Sequence, residues 1–244
     1  MEDTPLQGAK KDIEGGDGAF FDNIAHRYDL LNRVLSMGLD PIWRKKAVAA
    51  AVPDGGDGHI LDLATGTADL AIEAARRHQS LKVTGVDPSK EMLAIGRDKV
   101  ADKTLEERVD LALGDGQDLP FENDTFDGSA VAFGIRNFPD RLQGLREMTR
   151  VTRPGGAVVI LELSEPQGGL MGSMARFYVR KCVPRIGSLL SGSKEYKYLQ
   201  ESIAAFPPAD QFMEMMETAG LEDVEVHPLT FGVVNLFVGH APGQ

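Results

Sequence analysis

Short continuous apolar runs alternate along this chain with longer stretches in which apolar positions recur at helical spacing. The first stretch, Phe20 to about Met37, places Phe21, Ile24, Ala25, Tyr28, Leu31 and Leu35 on one side and predicts a helix. Asp40-Pro41 opens a second helix through Val52, because proline is tolerated in a first turn. Strands are then predicted at His59–Leu63, Lys82–Val86, Val109–Leu113, Gly128–Phe133 and Ala157–Leu163. Between them lie helices at Asp69–His78, from Pro88-Ser89 to Val100, and at Arg141–Val151, with Arg153-Pro154-Gly155-Gly156 read as a turn. A helix at Asp210–Ala219 and strands at Val224–Leu229 and Val233–Val238, around Phe231-Gly232, close the chain. Strands alternating with helices and ending in a hairpin imply an α/β, Rossmann-like, doubly wound sheet with a C-terminal antiparallel hairpin. Residues 165–208 break the rhythm and read as a helical insert. Residues 1–18 are polar and glycine-containing and read as a disordered tail, leaving 19–244 as a single domain.

The segment Ile60-Leu61-Asp62-Leu63-Ala64-Thr65-Gly66-Thr67-Ala68-Asp69 is a buried strand entering a tight glycine turn that opens a helix. The next strand, Val83-Thr84-Gly85-Val86-Asp87, ends on a carboxylate. This is how an open α/β sheet holds an adenosine-bearing cofactor, with Asp87 placed to accept the ribose hydroxyls. A dinucleotide turn carries three glycines so that pyrophosphate can sit on the helix N-terminus. Here those positions hold Ala64, Gly66 and Asp69, and Asp62 adds a second negative charge. An acidic turn disfavours phosphate and favours S-adenosyl-L-methionine, which carries a sulfonium and an ammonium and no phosphate. The alternative reading of Asp62 is a helix or turn cap.

Composition narrows the partners. A net charge of −11 and a pI near 4.9 argue against nucleic acid as a ligand. The single Cys182 excludes an internal disulfide, and His26, His59, His78, His227 and His240 lack metal-ligand spacing, so no metal is expected. Without a signal peptide or a membrane-length apolar run, the expected location is cytoplasmic.

Ligands bind at the carboxyl ends of such strands, so Ala64–Thr67, Asp87, Gly114–Gln117 and Phe133–Asn137 should converge. Asp115, between Gly114 and Gly116, is positioned to accept from an adenine amino group; a plain surface turn is the alternative. Arg136 and Asn137 follow a buried strand directly. They are the candidate catalytic pair, Arg136 as a cation for a substrate oxyanion and Asn137 as its orienting partner. A structural salt bridge and a helix cap are their respective alternatives. The Asn/Asp-Pro-Pro-aromatic arrangement used for N-methylation is absent, which weakens nucleic acid or protein as the methyl acceptor. There is also no Gly-x-Ser-x-Gly elbow and no H-E-x-x-H.

Several segments together resemble the ubiquinone/menaquinone biosynthesis C-methyltransferases. They are Phe21-Asp22-x-Ile24-Ala25-x-Arg27-Tyr28-Asp29-x-x-Asn32, Asp62–Thr67, Leu119-Pro120-Phe121 with Asp124-x-Phe126-Asp127, Phe133-Gly134-Ile135-Arg136-Asn137, Arg153–Gly156, Pro184–Gly187 and Tyr198-Leu199-x-Glu201-Ser202-Ile203. The resemblance runs from about Phe20 to Gly239 and implies a class I S-adenosyl-L-methionine-dependent methyltransferase. It also implies methyl transfer to a ring carbon of a prenylated quinol, with demethylmenaquinol as the expected substrate. A methoxy-polyprenyl benzoquinol, another small hydrophobic acceptor, and a non-catalytic binding module are the alternatives. Thr67, Asp87, Asp115 and Gly116 match the family's cofactor contacts, and Ala132 stands where serine is frequent. Thr65 and Ala68 stand where many relatives have glycine. Tyr28 is a candidate substrate contact, and Asp29, His26 or a water relay would take the quinol proton. In the insert, Arg176, Arg180, Lys181 and Arg185 interleave with apolar residues. Residues 170–190 are thus a candidate for peripheral contact with anionic lipid at the inner face of the cell membrane; an ordinary packed helix is the alternative. A homodimer is an allowed assembly.

Overall fold

The computed structural model describes residues 36–164 and 201–243, together with Ala25 and Arg33, both helical. The tail, most of the helix expected over Phe20–Met37, and the segment 165–200 lie outside the described residues. In chain order the elements are α1 (Asp40–Ala51), β1 (Asp57–Leu63), α2 (Asp69–Arg77), β2 (Ser80–Asp87), α3 (Lys90–Asp102), β3 (Val109–Leu113), β4 (Phe126–Ala132), α4 (Arg141–Val151), β5 (Thr152–Leu163), α5 (Ala209–Thr218), β6 (Glu222–Leu229) and β7 (Val234–His240).

The strands form one sheet in the order β3-β2-β1-β4-β5-β7-β6. β1 to β5 are parallel, and β7 inserts antiparallel between β5 and β6. The inner strands are apolar on both faces because both faces are covered. Ile60, Val159 and Leu161 pack with α1, α2 and α3 on one side. Leu61, Val158 and Ile160 pack with α4 and α5 on the other. The switch point lies between β1 and β4, where the order reverses.

Most predicted boundaries agree within a few residues, and two differences matter. The predicted turn Arg153–Gly156 belongs to β5, which starts at Thr152. Phe126 pairs with Thr152 but Gly128 pairs with Ala157, so the extra residues bulge out of the ladder. They remain sheet-like because Gly155 N–H donates to the Ala241 carbonyl and Ala241 N–H donates to Gly156 (both 2.9 Å). Second, β4 ends at Ala132, and Phe133 turns out of it at φ 60°. That turn starts the loop on one wall of the site.

Candidate active site

The loop after β1 is held in an uncommon backbone path. Ala64 (φ 52°), Gly66 (φ 56°) and Ala68 (φ 64°) all occupy the left-handed region. Two of these carry a Cβ, which disfavours that region by about 1–2 kcal/mol per residue. Asp62 supports the loop from below. It is fully buried, and its Oδ2 accepts from Thr65 Oγ1 (2.6 Å) and from the Ala71 N–H (3.1 Å). Ala68, the residue before α2, supplies no capping side chain. Asp62 therefore caps the helix from the preceding strand, the role sequence left as its alternative. Burial pushes its carboxyl up to about 7, and nearby Asp87 adds to the rise, against the two hydrogen bonds and Arg44, which lower it.

Asp87, the last residue of β2, fixes the second side. Its Oδ2 accepts from the Gly66 N–H (2.8 Å), and its Oδ1 accepts from the Ser89 N–H (2.9 Å). It thus joins the β1 loop to the start of α3, where Ser89 Oγ caps by accepting from Met92 N–H (3.1 Å). Asp115, after β3, accepts at Oδ1 from the Gln117 N–H (2.9 Å) and from Gln117 Nε2 (3.2 Å). Gln117 Oε1 in turn accepts from the Asp140 N–H (2.7 Å), tying this loop to the start of α4.

The fourth side is the loop from Phe133 to Asn137. Gly134 passes so close to the β1 loop that a Cβ on it would lie 2.6 Å from Ala64 Cβ. The two loops meet there, and glycine permits the contact. Phe133 is braced edge-on by Trp43 (centroids 6.2 Å apart) and lies under the Arg44 guanidinium (5.6 Å).

These loops line an open cleft at the carboxyl ends of the strands. Ala64, Gly66, Asp87, Asp115, Gly116 and Asn137 line it together, as their positions at strand ends required. Its apolar wall comes from residues sequence did not single out, among them Leu63, Val86, Met92 and Phe138. Gln117 also lines it and was named only as the end of a converging segment.

Four expected site residues sit behind this lining. Asp62 lies under the loop. Thr67 is buried and accepts from Lys99 Nζ (3.1 Å). Ala132 packs into the core as the last residue of β4. Arg136 is buried: its Nη1 donates to Glu162 Oε1 (2.7 Å) and to the Phe133 carbonyl (2.5 Å). Its alternative reading, a structural salt bridge, is what the structure contains. The guanidinium is matched to a carboxylate behind the wall because a buried cation needs a counter-charge. Sequence did not single out Glu162, although a carboxylate within the run Val158-Val159-Ile160-Leu161-Glu162-Leu163 was the available signal. Tyr28, His26, Asp29 and residues 170–190 lie outside the described residues.

The two carboxylates of the turn do not face the cleft as the sequence suggests. Asp69 does not line the cleft: it is ion-paired with Lys99 and lies 3.7 Å from Arg44. Asp62 titrates near neutrality instead of standing as a full anion. The negative character of the cleft comes from Asp87 and Asp115. Among the described residues no Lys, Arg or His lines it. Two carboxylates, an apolar wall and no lining cation fit a cationic, phosphate-free adenosyl cofactor and disfavour a pyrophosphate. Among the described residues no group of three or more His, Cys, Asp or Glu is placed to hold a metal, and no helix is long and apolar enough to cross a membrane.

Comparison with known proteins agrees with this geometry. Residues 11–241 match the model of the ubiE/COQ5 methyltransferase family. A ubiquinone/menaquinone biosynthesis C-methyltransferase UbiE of Geotalea daltonii is 46% identical, covering 90% of this chain and 93% of its own. A demethylmenaquinone methyltransferase of Deinococcus radiodurans is 42% identical, covering 98% of both chains. In fold, the chain is similar to a solved S-adenosyl-L-methionine-dependent methyltransferase of Aquifex aeolicus, with a TM-score of 0.64 at 17% identity over 90% of this chain and 98% of that one.

Proposed function

The chain belongs to the ubiE/COQ5 methyltransferase family, and on that premise we propose that it methylates a ring carbon of demethylmenaquinol, giving menaquinol. It is an S-adenosyl-L-methionine-dependent methyltransferase. The observation that carries the site assignment is the cleft with Asp87 and Asp115 on one side and Asn137 on the other, lined among the described residues by no Lys, Arg or His. When bound, S-adenosyl-L-methionine supplies an electrophilic methyl group on its sulfonium.

The residues of the cleft have separate tasks. Asp87 holds the ribose hydroxyls, and its backbone bonds to Gly66 and Ser89 set its orientation beforehand. Asp115, held by Gln117, accepts from the adenine amino group. Leu63, Val86 and Met92 line the cleft and would pack around the adenosyl group, excluding water. On the acceptor side, loss of the quinol hydroxyl proton to water raises electron density at the ring carbon, which would take the methyl as its bond to sulfur breaks and a neutral thioether leaves. Loss of the proton on that carbon to water would then restore the aromatic ring. Asn137, on the cleft wall, orients the quinol oxygen. Arg136 serves the same wall from behind, through its pairing with Glu162.

Labelled S-adenosyl-L-methionine with reduced demethylmenaquinone tests this reading, with wild type and Asn137→Ala compared directly. Labelled menaquinone from wild type and a loss of about 100-fold in the variant are expected. Transfer only to a methoxy-polyprenyl benzoquinol would move the substrate to the ubiquinone series. Cofactor binding without transfer to either quinol would remove the quinol assignment.

A further inference from the structure

We propose that Glu162 is a positioning residue for methyl transfer, holding residue 136 by both backbone and side chain so that Asn137 keeps its place on the cleft wall. The inference rests on the reading above and extends it to a residue that touches neither cofactor nor substrate. Glu162 is fully buried near the end of β5. Its Oε1 accepts from Arg136 Nη1 (2.7 Å) and from the Leu163 N–H (2.8 Å), and its Oε2 from the Arg136 N–H (3.3 Å). Two further bonds of residue 136 add to the grip. Arg141 Nη2 donates to its carbonyl (2.9 Å), and its own Nη1 reaches the Phe133 carbonyl (2.5 Å).

The sheet does not need a carboxylate there. Val158 and Ile160, on the same face of β5, are fully buried apolar residues, and an apolar residue at 162 would continue the pattern without burying a charge. The loop above does need it. It leaves β4 through Phe133 at positive φ and spans Ile135–Asn137 as a single 3₁₀ turn, a short element with weak internal bonding. Within that turn, Arg136 faces Glu162 while Asn137 faces the cleft. A charge-assisted clamp on one residue therefore fixes the direction of the next.

Glu162→Gln tests the clamp. The amide keeps the size of the side chain, but one of its two acceptor atoms becomes a donor directed at the groups that Glu162 now receives. Calorimetric affinity for S-adenosyl-L-methionine and kcat for quinol methylation are measured on folded wild type and variant. The expected result is affinity within about threefold of wild type and kcat lower by about 100-fold, as for a reacting group displaced by about 1 Å. Glu162→Asp, which keeps the charge but shortens the reach, is expected to fall between them, and it serves alone if the glutamine variant does not fold. An unchanged kcat overturns the proposal. So does a parallel loss of kcat, cofactor affinity and stability, which would mark a purely structural ion pair. If wild type methylates only the benzoquinol, the substrate reading fails, and the same kcat ratio is read on that acceptor.

Discussion

Two loops form the floor and wall of the cleft, and each is held by a buried carboxylate, but the carboxylates face different partners. Ala64–Ala68 rests on Asp62, whose partners are a hydroxyl and a backbone N–H. Phe133–Asn137 rests on Glu162, whose partners include a guanidinium. Both loops begin at a non-glycine residue with positive φ, Ala64 at 52° and Phe133 at 60°. Both therefore need support from outside themselves. Under the loop after β1 that support faces neutral donors, and burial drives the carboxyl toward its protonated form. Under the loop after β4 the carboxylate is matched by a cation that the loop itself supplies.

The largest expected effect breaks the charged brace. Glu162→Ala leaves the Arg136 guanidinium buried without its carboxylate, and a loss of about 3–5 kcal/mol is expected in urea unfolding. Removing both partners is expected to cost clearly less than the sum of the single changes, since no buried charge is then left. Additive losses would show that the pair is not coupled.

The neutral brace should reveal itself through pH. The carboxyl of Asp62 is raised from 3.8 to about 7, so its contribution to stability is complete below pH 3.8 and is lost as pH rises through about 7. The linkage amounts to about 4 kcal/mol across that window, at about 1.4 kcal/mol per unit. Asp62→Asn, whose side-chain oxygen can accept from Thr65 and Ala71, should flatten the slope and be the more stable protein above pH 7. Equal slopes for wild type and variant, in unfolding followed from pH 4 to 8, would contradict the assignment.

The smallest effect concerns backbone strain in the loop after β1. Ala64→Gly removes a Cβ from a left-handed residue and is expected to stabilise by about 1 kcal/mol, raising Tm by about 2–4 °C. Glycine's greater freedom in the unfolded chain works against this gain. A fall in Tm would mean that the Ala64 methyl, packed on the core, outweighs the strain it carries.

Much of the fold was legible because it depends on local pattern. α4 and β3 were placed to the residue, since Pro139 and Pro154 flank Arg141–Val151, and charged residues and Gly114 flank Val109–Leu113. The start of β5 was not legible: Pro154-Gly155-Gly156 carries turn chemistry, and only pairing with Ala241 keeps it in the sheet. In the site, residues at strand ends were legible. Gly66, Asp87, Asp115 and Asn137 meet because parallel strands deliver their carboxyl ends to one edge.

The sequence by itself determined the order of elements, the edge at which the site lies and the family, because hydrophobic period and strand-end motifs are local properties of the chain. Which charges face the cleft was decided only by tertiary structure. Asp69 meets Lys99, Arg136 meets Glu162, and Asp62 sinks under its own loop, each a contact across sequence separation or a burial that no local pattern records. The physical reason is that the effect of a charge depends on its solvation and its partner, and both are set by what folds on top of it.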